Sequence, residues 1–500
     1  MSNHTKKFNK IQSAIWPIHK YEMKKFLPMS LMMFCVLFIY SLARNLKDTM
    51  IVNASGASAA CISYLKVYGA LPFAMLSVVV FSRMLEKFGS KKSFYFTISF
   101  FIFFYCIFGF LLHPLIPKIH ASEDWVSNMQ ETSPKIFYDI WPLIGNWSVS
   151  LFYIVSEIWG GLVINSLFWQ FANQITKKEE VKRFYSLFSC IGDVALIFSG
   201  FFTKLSIQFE SFKVKIQMLG ILVVGILLMY LYYYIHKKVL TDSKFYTPIE
   251  KPSITSKKKP KSFLKSFACI FKSKYLLLTS VLVIAYGVAI NIFEVTWKEQ
   301  GKLFYGSESK FNDMMANVSI ATGILTIFIT LVGGNILRKC KWRTAALVTP
   351  FSIFILGSVF FLLIIFENYN GINAKIFIFN VLELIVWIGL FQDAVSKSIK
   401  YSLFDSTKQM IYIPLNEELK TTGQMAIEVV IGRFGKSLGS IIIIMLRGVF
   451  GTTVPLRGMV NVLFPTLLVI TGVWVFSVIK LSKKYENLKN KIKNKSKQVA

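Results

Sequence analysis

Acidic residues are scarce in this chain: 26 Asp and Glu stand against 57 Lys and Arg, a formal net charge of +31 over 500 residues. Cysteine is scarcer still. The six (Cys35, Cys61, Cys106, Cys190, Cys269 and Cys340) are scattered, with no CxxC pair, and the five His show no ligand spacing, so neither a disulfide framework nor a zinc site is supported. Charged residues of both signs make up only 17% of the chain. No phosphate-binding loop is present either. Gly435-Lys436-Ser437 imitates one, but such a loop needs glycine five positions before its Gly-Lys pair, and Val430 stands there. With no nucleophile–base pair and no metal cluster in view, nothing points to an enzyme, and no cofactor is expected.

Apolar residues are what the chain has in abundance: 54%, including 47 Phe, which places it among integral membrane proteins. Lys outnumbers Arg 49 to 8, and with abundant Ile, Asn and Phe this reads as the codon bias of a reduced bacterial genome. Residues 1–26 are basic, but the apolar run from Leu27 leads to Arg44, Lys47 and Asp48 without a small-residue cleavage site, so the first run is expected to stay as a helix.

About 20 apolar residues cross a bilayer as a helix. Twelve such runs are legible, near 27–43, 59–82, 93–115, 148–172, 184–206, 216–236, 275–297, 316–337, 344–366, 374–397, 424–449 and 458–481. The expected fold is all-α and integral to the membrane, with twelve transmembrane helices as a 6+6 pseudo-repeat. A basic N-terminus (1–26) precedes the first half (27–236). A polar linker (237–274), rich in Pro, Ser and Lys, joins it to the second half (275–481), and a basic tail (482–500) comes last.

With the N-terminus in the cytoplasm, 41 basic residues fall in cytoplasmic segments and 13 in outer loops, a positive-inside signature that puts both termini in the cytoplasm. It also accounts for the net charge without nucleic acid, since basic loops lie against anionic lipid heads. The expected location is the inner membrane of a bacterium. Six plus six helices about a basic central loop is the layout of major-facilitator-type transporters. Glu86-Lys87-Phe88-Gly89-Ser90-Lys91-Lys92, between spans two and three, resembles that superfamily's acidic–basic–x–Gly–x–basic–basic loop. The matching Arg338-Lys339-Cys340-Lys341-Trp342-Arg343 keeps the charge and lacks the glycine.

The remaining three basic residues, Lys66, Arg433 and Lys436, lie inside spans, as do Glu157, Asp193 and Glu294. An ionised side chain at a helix centre costs roughly 2.5–3.5 kcal/mol on insertion scales, so such groups turn toward a cavity or a partner. Lys66 either snorkels outward beside Tyr64 and Tyr68 or faces inward, and Pro72 favours the inward reading. Glu157, Gly161 and Asn165 share one helix face, a polar stripe suited to a water-filled path. Glu294 lies near the outer end of its span and has Lys298 four residues on. Arg433 and Lys436 are three apart, with Glu428 as one available counter-charge, and Gly432, Gly435 and Gly439 permit close helix approach. Cations at separate places in the chain point to a pathway for an anionic solute.

Several segments resemble the nucleotide transporter family of plastids and obligate intracellular bacteria, typified by ATP/ADP translocases. They are Arg44-Asn45-Leu46-Lys47-Asp48, Glu157-Ile158-Trp159-Gly160, Ser166-Leu167-Phe168-Trp169-Gln170-Phe171-Ala172-Asn173-Gln174, Lys400-Tyr401-Ser402-Leu403-Phe404-Asp405-Ser406-Thr407-Lys408, Tyr412-Ile413-Pro414-Leu415 and Gly432-Arg433-Phe434-Gly435-Lys436-Ser437. The resemblance covers nearly the whole chain. It implies nucleotide exchange, ATP for ADP, without hydrolysis, in an obligate intracellular bacterium, with Lys66, Glu157, Glu294 and Lys436 as functional charges. Lys66, Arg433 and Lys436 would hold phosphates. Glu157 and Glu294 would pair with those cations in the empty carrier, and Arg44 and Lys47 would form a funnel for incoming substrate. Asp193 and Asp393 stand where the resemblance leads one to expect Asn, and Glu383 is a further acid in span ten. Extra negative charge near a polyanion site opposes phosphate binding. A proton-coupled carrier of another anion and a non-transporting descendant are the alternatives. Base preference and oligomeric state are open.

Overall fold

The structure, a computed structural model, describes residues 16–242, 245, 273–371, 374–415, 427, 431–451 and 454–499, with the side chains at 178, 179, 181, 182, 186, 331–339 and 491–499 set aside. Glu428 and most of the polar linker therefore lie outside the described residues.

Nine helices among these residues are long and apolar enough to cross a membrane. The longest, Cys61–Ile119, is two spans joined at Gly89, whose φ of 73° is left-handed and suits a residue without Cβ. This is the glycine of the Glu86–Lys92 motif. The helices Val381–Ile399, which runs on through a wider turn to Tyr412, and Gly432–Phe450 complete the set of twelve. In chain order the spans are Met23–Asn53, 61–88, 90–119, Trp147–Ile175, Lys178–Ile207, Lys213–Tyr234, Lys274–Tyr305, Glu308–Lys339, Trp342–Asn370, Val381–Ile399, Gly432–Phe450 and Val460–Val499.

The tenth span starts later than its hydropathy suggests. Residues Lys375–Ile376 and Phe379–Asn380 pair as a short antiparallel hairpin, and the Asn380 side chain then caps the helix by accepting from the Leu382 N–H at 2.9 Å. Apolarity marks where a segment enters the membrane; the capping side chain marks where the helix begins.

The two halves repeat a common plan. The first and seventh spans hold equivalent positions and are the most enclosed, 72% and 78% buried over their most apolar stretches. The third, sixth, ninth and twelfth turn Phe100 and Phe103, Val223 and Ile226, Ile355 and Leu362, and Val469 and Phe476 outward. An apolar outer surface of this kind fits lipid, because a helix satisfies its own backbone hydrogen bonds there. An even number of spans puts both chain ends on one face, called here the terminal face; the other is the distal face.

Small residues set the closest approaches. Between the halves, a Cβ at Gly200 would lie 2.8 Å from the Ala316 carbonyl, and one at Gly323 would lie 2.8 Å from the Asp193 carbonyl. Inside the second half, a Cβ at Gly287 of span seven would fall 2.8 Å from backbone atoms of Gly435 and Lys436 in span eleven. Gly435 and Gly439 meet span seven equally closely, at 3.0 Å, whereas Gly432 has looser neighbours. Two of the three eleventh-span glycines are thus required by packing. Gly287→Ala pushes against backbone, which cannot swing aside as a side chain can, so it is expected to cost about 1–3 kcal/mol and to lower the melting temperature of the purified protein. An unchanged melting temperature would show that spans seven and eleven separate freely.

Candidate functional site

Most of the charged residues singled out in the sequence converge between the halves, carried by spans one, two, four, seven, ten and eleven; Asp193 and Glu383 do not join them. Local helix geometry helps to aim them. Lys66 lies in the wider turn Leu65–Ala70 of the second span, and Gly161 and Asn165 lie in another, Gly160–Phe168, just beyond Glu157. Such π-type turns rotate the register of the helix beyond them and recur at functional sites.

Two chains of charge run through the chamber. In the first, Lys47 Nζ is 2.7 Å from Glu157 Oε1 and 2.7 Å from Asp48 Oδ1. The other Asp48 oxygen meets Lys298 Nζ at 2.8 Å, so this chain crosses from the first half to the second. Lys47 also lies 3.8 Å from the centre of the Tyr153 ring, a cation–π contact. In the second chain, Lys397 Nζ is 2.6 Å from Asp393 Oδ2 and 3.3 Å from Glu294 Oε1.

Four cations hold no carboxylate of the described residues within ion-pair distance. Lys66 donates to Asn291 Oδ1 at 2.5 Å, and Asn291 in turn donates to Ser440 Oγ at 3.0 Å. Arg44 lies over the Tyr40 ring at 5.6 Å, and its Nε and Nη2 are buried without a hydrogen-bond partner among the described residues. Arg433, half-buried, reaches across the halves so that Nη2 lies against Gly161. Lys436 is exposed to the chamber. Lys66 and Lys436 both lie within electrostatic reach of Glu157 and Glu294, so these groups surround one space. Four acids (Asp48, Glu157, Glu294, Asp393) are thus matched to three cations (Lys47, Lys298, Lys397), while Arg44, Lys66, Arg433 and Lys436 are left to attract an anion.

Several sequence-based expectations change. Glu157 and Glu294 pair with Lys47 and Lys397, and not with Lys66, Arg433 or Lys436; Lys298 belongs to Asp48, not to Glu294. Lys47 is no funnel residue. It is 2% exposed and sits at the centre of the first chain, because Asp48 and Glu157 offset the cost of burying it. Lys66 does not snorkel: Tyr64 is buried, and the ammonium is held across the halves by Asn291. Asp393 shares Lys397, one turn on, with Glu294, so this chain of charge keeps one more acid than cation. Asp193 is 8% exposed on span five, its backbone carbonyl against Gly323, in no ion pair among the described residues and within electrostatic reach of Tyr401. Asn165 is exposed, as the polar stripe requires, and Glu383 is half-buried in the first turn of the tenth span.

Sequence reading missed Asp48, Asn291, Lys298 and Lys397 as members of the site. Lys397 had a signal, an acid four residues before it in an apolar span. Asn291 had one too, its place nearly one turn before Glu294 in the same span.

The absence of bulk at Gly161 leaves room for Arg433. Gly161→Ala is expected to push the guanidinium aside without unfolding the helix, because the group that must move is the end of a flexible side chain. The expected signature is a raised KM for uptake with near-native protein levels in the membrane; an unchanged KM would remove Arg433 from the site.

Several known proteins are similar to this chain over nearly its whole length. A family model described as TLC ATP/ADP transporter matches residues 1–485. The chain is 38% identical to the ADP,ATP carrier protein 1 of Chlamydia pneumoniae, covering 96% of this chain and 94% of that one. It is 37% identical to ADP,ATP carrier protein 1 of Rickettsia prowazekii, covering 97% of each, and 34% identical to ADP,ATP carrier protein 4 of Rickettsia conorii, covering 96% and 95%. Among solved structures, a bacterial homologue of the iron transporter ferroportin superposes with a TM-score of 0.56 at 11% identity, over 93% of this chain and all of that one. A D-xylose–proton symporter does so with 0.54 at 12% identity, over 92% and 97%. At such identities the likeness is one of fold: a major-facilitator-like bundle of two six-helix halves.

Proposed function

The chain belongs to the TLC ATP/ADP transporter family, and we propose that within it this protein exchanges ATP for ADP across a bacterial cytoplasmic membrane by alternating access, without hydrolysis. It is a multi-pass membrane carrier and not an enzyme. The observation that carries the substrate reading is the set of four cations, Arg44, Lys66, Arg433 and Lys436, gathered in one chamber without carboxylate partners among the described residues. A polyphosphate supplies the missing negative charge through charge-assisted hydrogen bonds.

The unmatched charge explains why exchange, and not one-way leak, is expected. With no anion in the chamber, the halves must reorient with three more cations than acids between them, seven against four, which is costly in a low-dielectric interior. A bound nucleotide removes that cost in either direction. ATP carries about one more negative charge than ADP, so the exchange moves charge, and a membrane potential biases it by ~2.3 kcal/mol per 100 mV. The positive-inside tally supports a cytoplasmic terminal face.

The deciding experiment is uptake of labelled nucleoside di- and triphosphates into liposomes holding the purified protein, with and without unlabelled nucleotide inside. Uptake stimulated by internal nucleotide is expected, with competition then ranking the bases. Uptake driven by a pH gradient and indifferent to internal nucleotide would instead establish proton coupling.

A further inference from the structure

Among the described residues, the polar contacts that join the halves are unevenly placed. Toward the distal face, Lys204 meets Asp313 at 3.1 Å, Lys302 donates to the Ala57 carbonyl at 2.7 Å, and Lys298 meets Asp48. On the terminal face, contacts such as Lys25–Glu180 at 2.7 Å and Tyr275 to the Ile411 carbonyl at 2.8 Å each stay within one half. The structure is thus tied shut on the distal side.

A further tie comes from the segment between spans three and four. Its short helix Glu123–Thr132 is capped by Ser122 and seated on the loop after span one, where Gln130 donates to the Gly56 carbonyl at 3.2 Å and Asn146 to the Ser55 carbonyl at 3.0 Å. That seat presents Asp139, 1% exposed, to Arg447 of span eleven, 2% exposed. Arg447 holds it by two bonds, Nε to Oδ2 and Nη2 to Oδ1, the latter at 2.9 Å, and Ser58 adds a third contact at 3.3 Å. Burial pushes the Asp139 carboxyl above its ordinary pKa, and Arg447 acts the other way. A bidentate carboxylate–guanidinium pair is stiff in geometry, and each partner is costly to leave buried alone.

We propose that the distal face is closed by a two-tier ionic gate, Asp139–Arg447 at the rim and Asp48–Lys298 beneath it, and that Asp48 ties the gate to the chamber. The halves cannot part on that face without breaking both pairs, because each joins one half to the other. Opening the face to water hydrates the separated charges, so the pairs latch the closed state without making it permanent. Asp48 is the positioning residue. It shares Lys47 with Glu157, so a change of charge beside Lys47 alters what Asp48 offers to Lys298.

The test uses the full chain with its native cysteines replaced and Ala57→Cys introduced, buried beside the Lys302 tie between the halves. Labelling by a membrane-impermeant thiol reagent from the distal side reports opening whatever the substrate, so failure of the gate and failure of the exchange reading are separable. Asp139→Asn, Arg447→Gln and Asp48→Asn are each expected to speed labelling, roughly tenfold if the pairs couple the halves as linked sites commonly do. The exchanged pair Asp139→Arg/Arg447→Asp is expected to slow it again. A labelling rate unchanged in all three single variants overturns the proposal. Should single variants fail to insert, Ala57→Cys with Lys302→Cys, bridged by a cleavable bifunctional thiol reagent, tests the same closure with both ion pairs intact. Bridging is expected to stop exchange and cleavage to restore it; exchange that persists through the bridge overturns the gate.

Discussion

Lys436→Ala is expected to reduce nucleotide exchange by roughly ten- to a hundredfold while the protein inserts and melts as the native form does. Lys436 is exposed to the chamber and is engaged by no carboxylate of the described residues, so alanine strands no buried partner. Loss of one charge-assisted contact to phosphate costs roughly 1.5–3 kcal/mol, about ten- to a hundredfold in affinity. The same ammonium acts on both Glu157 and Glu294, so its loss also removes part of the cost that holds the empty carrier in place. Lys436→Arg keeps the charge and should retain measurable exchange. Counterflow in proteoliposomes reads both variants, and near-normal uptake by the alanine form would sink the assignment.

Lys397→Ala is expected to do the opposite kind of damage, to stability before transport. Lys397 is the shared ion-pair partner of two enclosed acids, Asp393 at 2.6 Å and Glu294 at 3.3 Å. Asp393 is fully buried, with its Oδ1 already lacking a hydrogen bond among the described residues. Breaking a buried pair by removing one partner costs about 3–5 kcal/mol, and here one substitution strands two carboxylates. Low yield and a strongly lowered melting temperature should result. Asp393→Asn in the same chain should recover part of the loss by removing one stranded charge, whereas Asp393→Asn alone should be mild. If Lys397→Ala melts with the native protein, the acids have another counter-charge and the second chain of charge is wrongly drawn.

These two cases differ because of where each lysine's partner lies. Lys436 was legible as a site residue from its place in an apolar run, where an unneutralised cation needs a reason. Lys397 closes its own predicted span and reads as an ordinary interfacial lysine until the fold brings Glu294, from another helix, against it. The same holds for Lys47, which looks like the polar end of span one and proves to be buried. A helical period shows which residues share a face, and does not show which helix that face will meet.

The sequence alone determined the membrane class, the twelve spans in two halves and the short set of charges that lipid will not tolerate. Hydropathy and the basic-residue bias are properties of single segments in a layered solvent, so they need no knowledge of tertiary contacts. Only the tertiary structure decided who neutralises whom. Lys298 and Asp48 are 250 positions apart, and Arg447 and Asp139 are 308 apart. An ion pair is fixed by separations of a few ångströms, and such closeness between distant segments arises only when the halves pack.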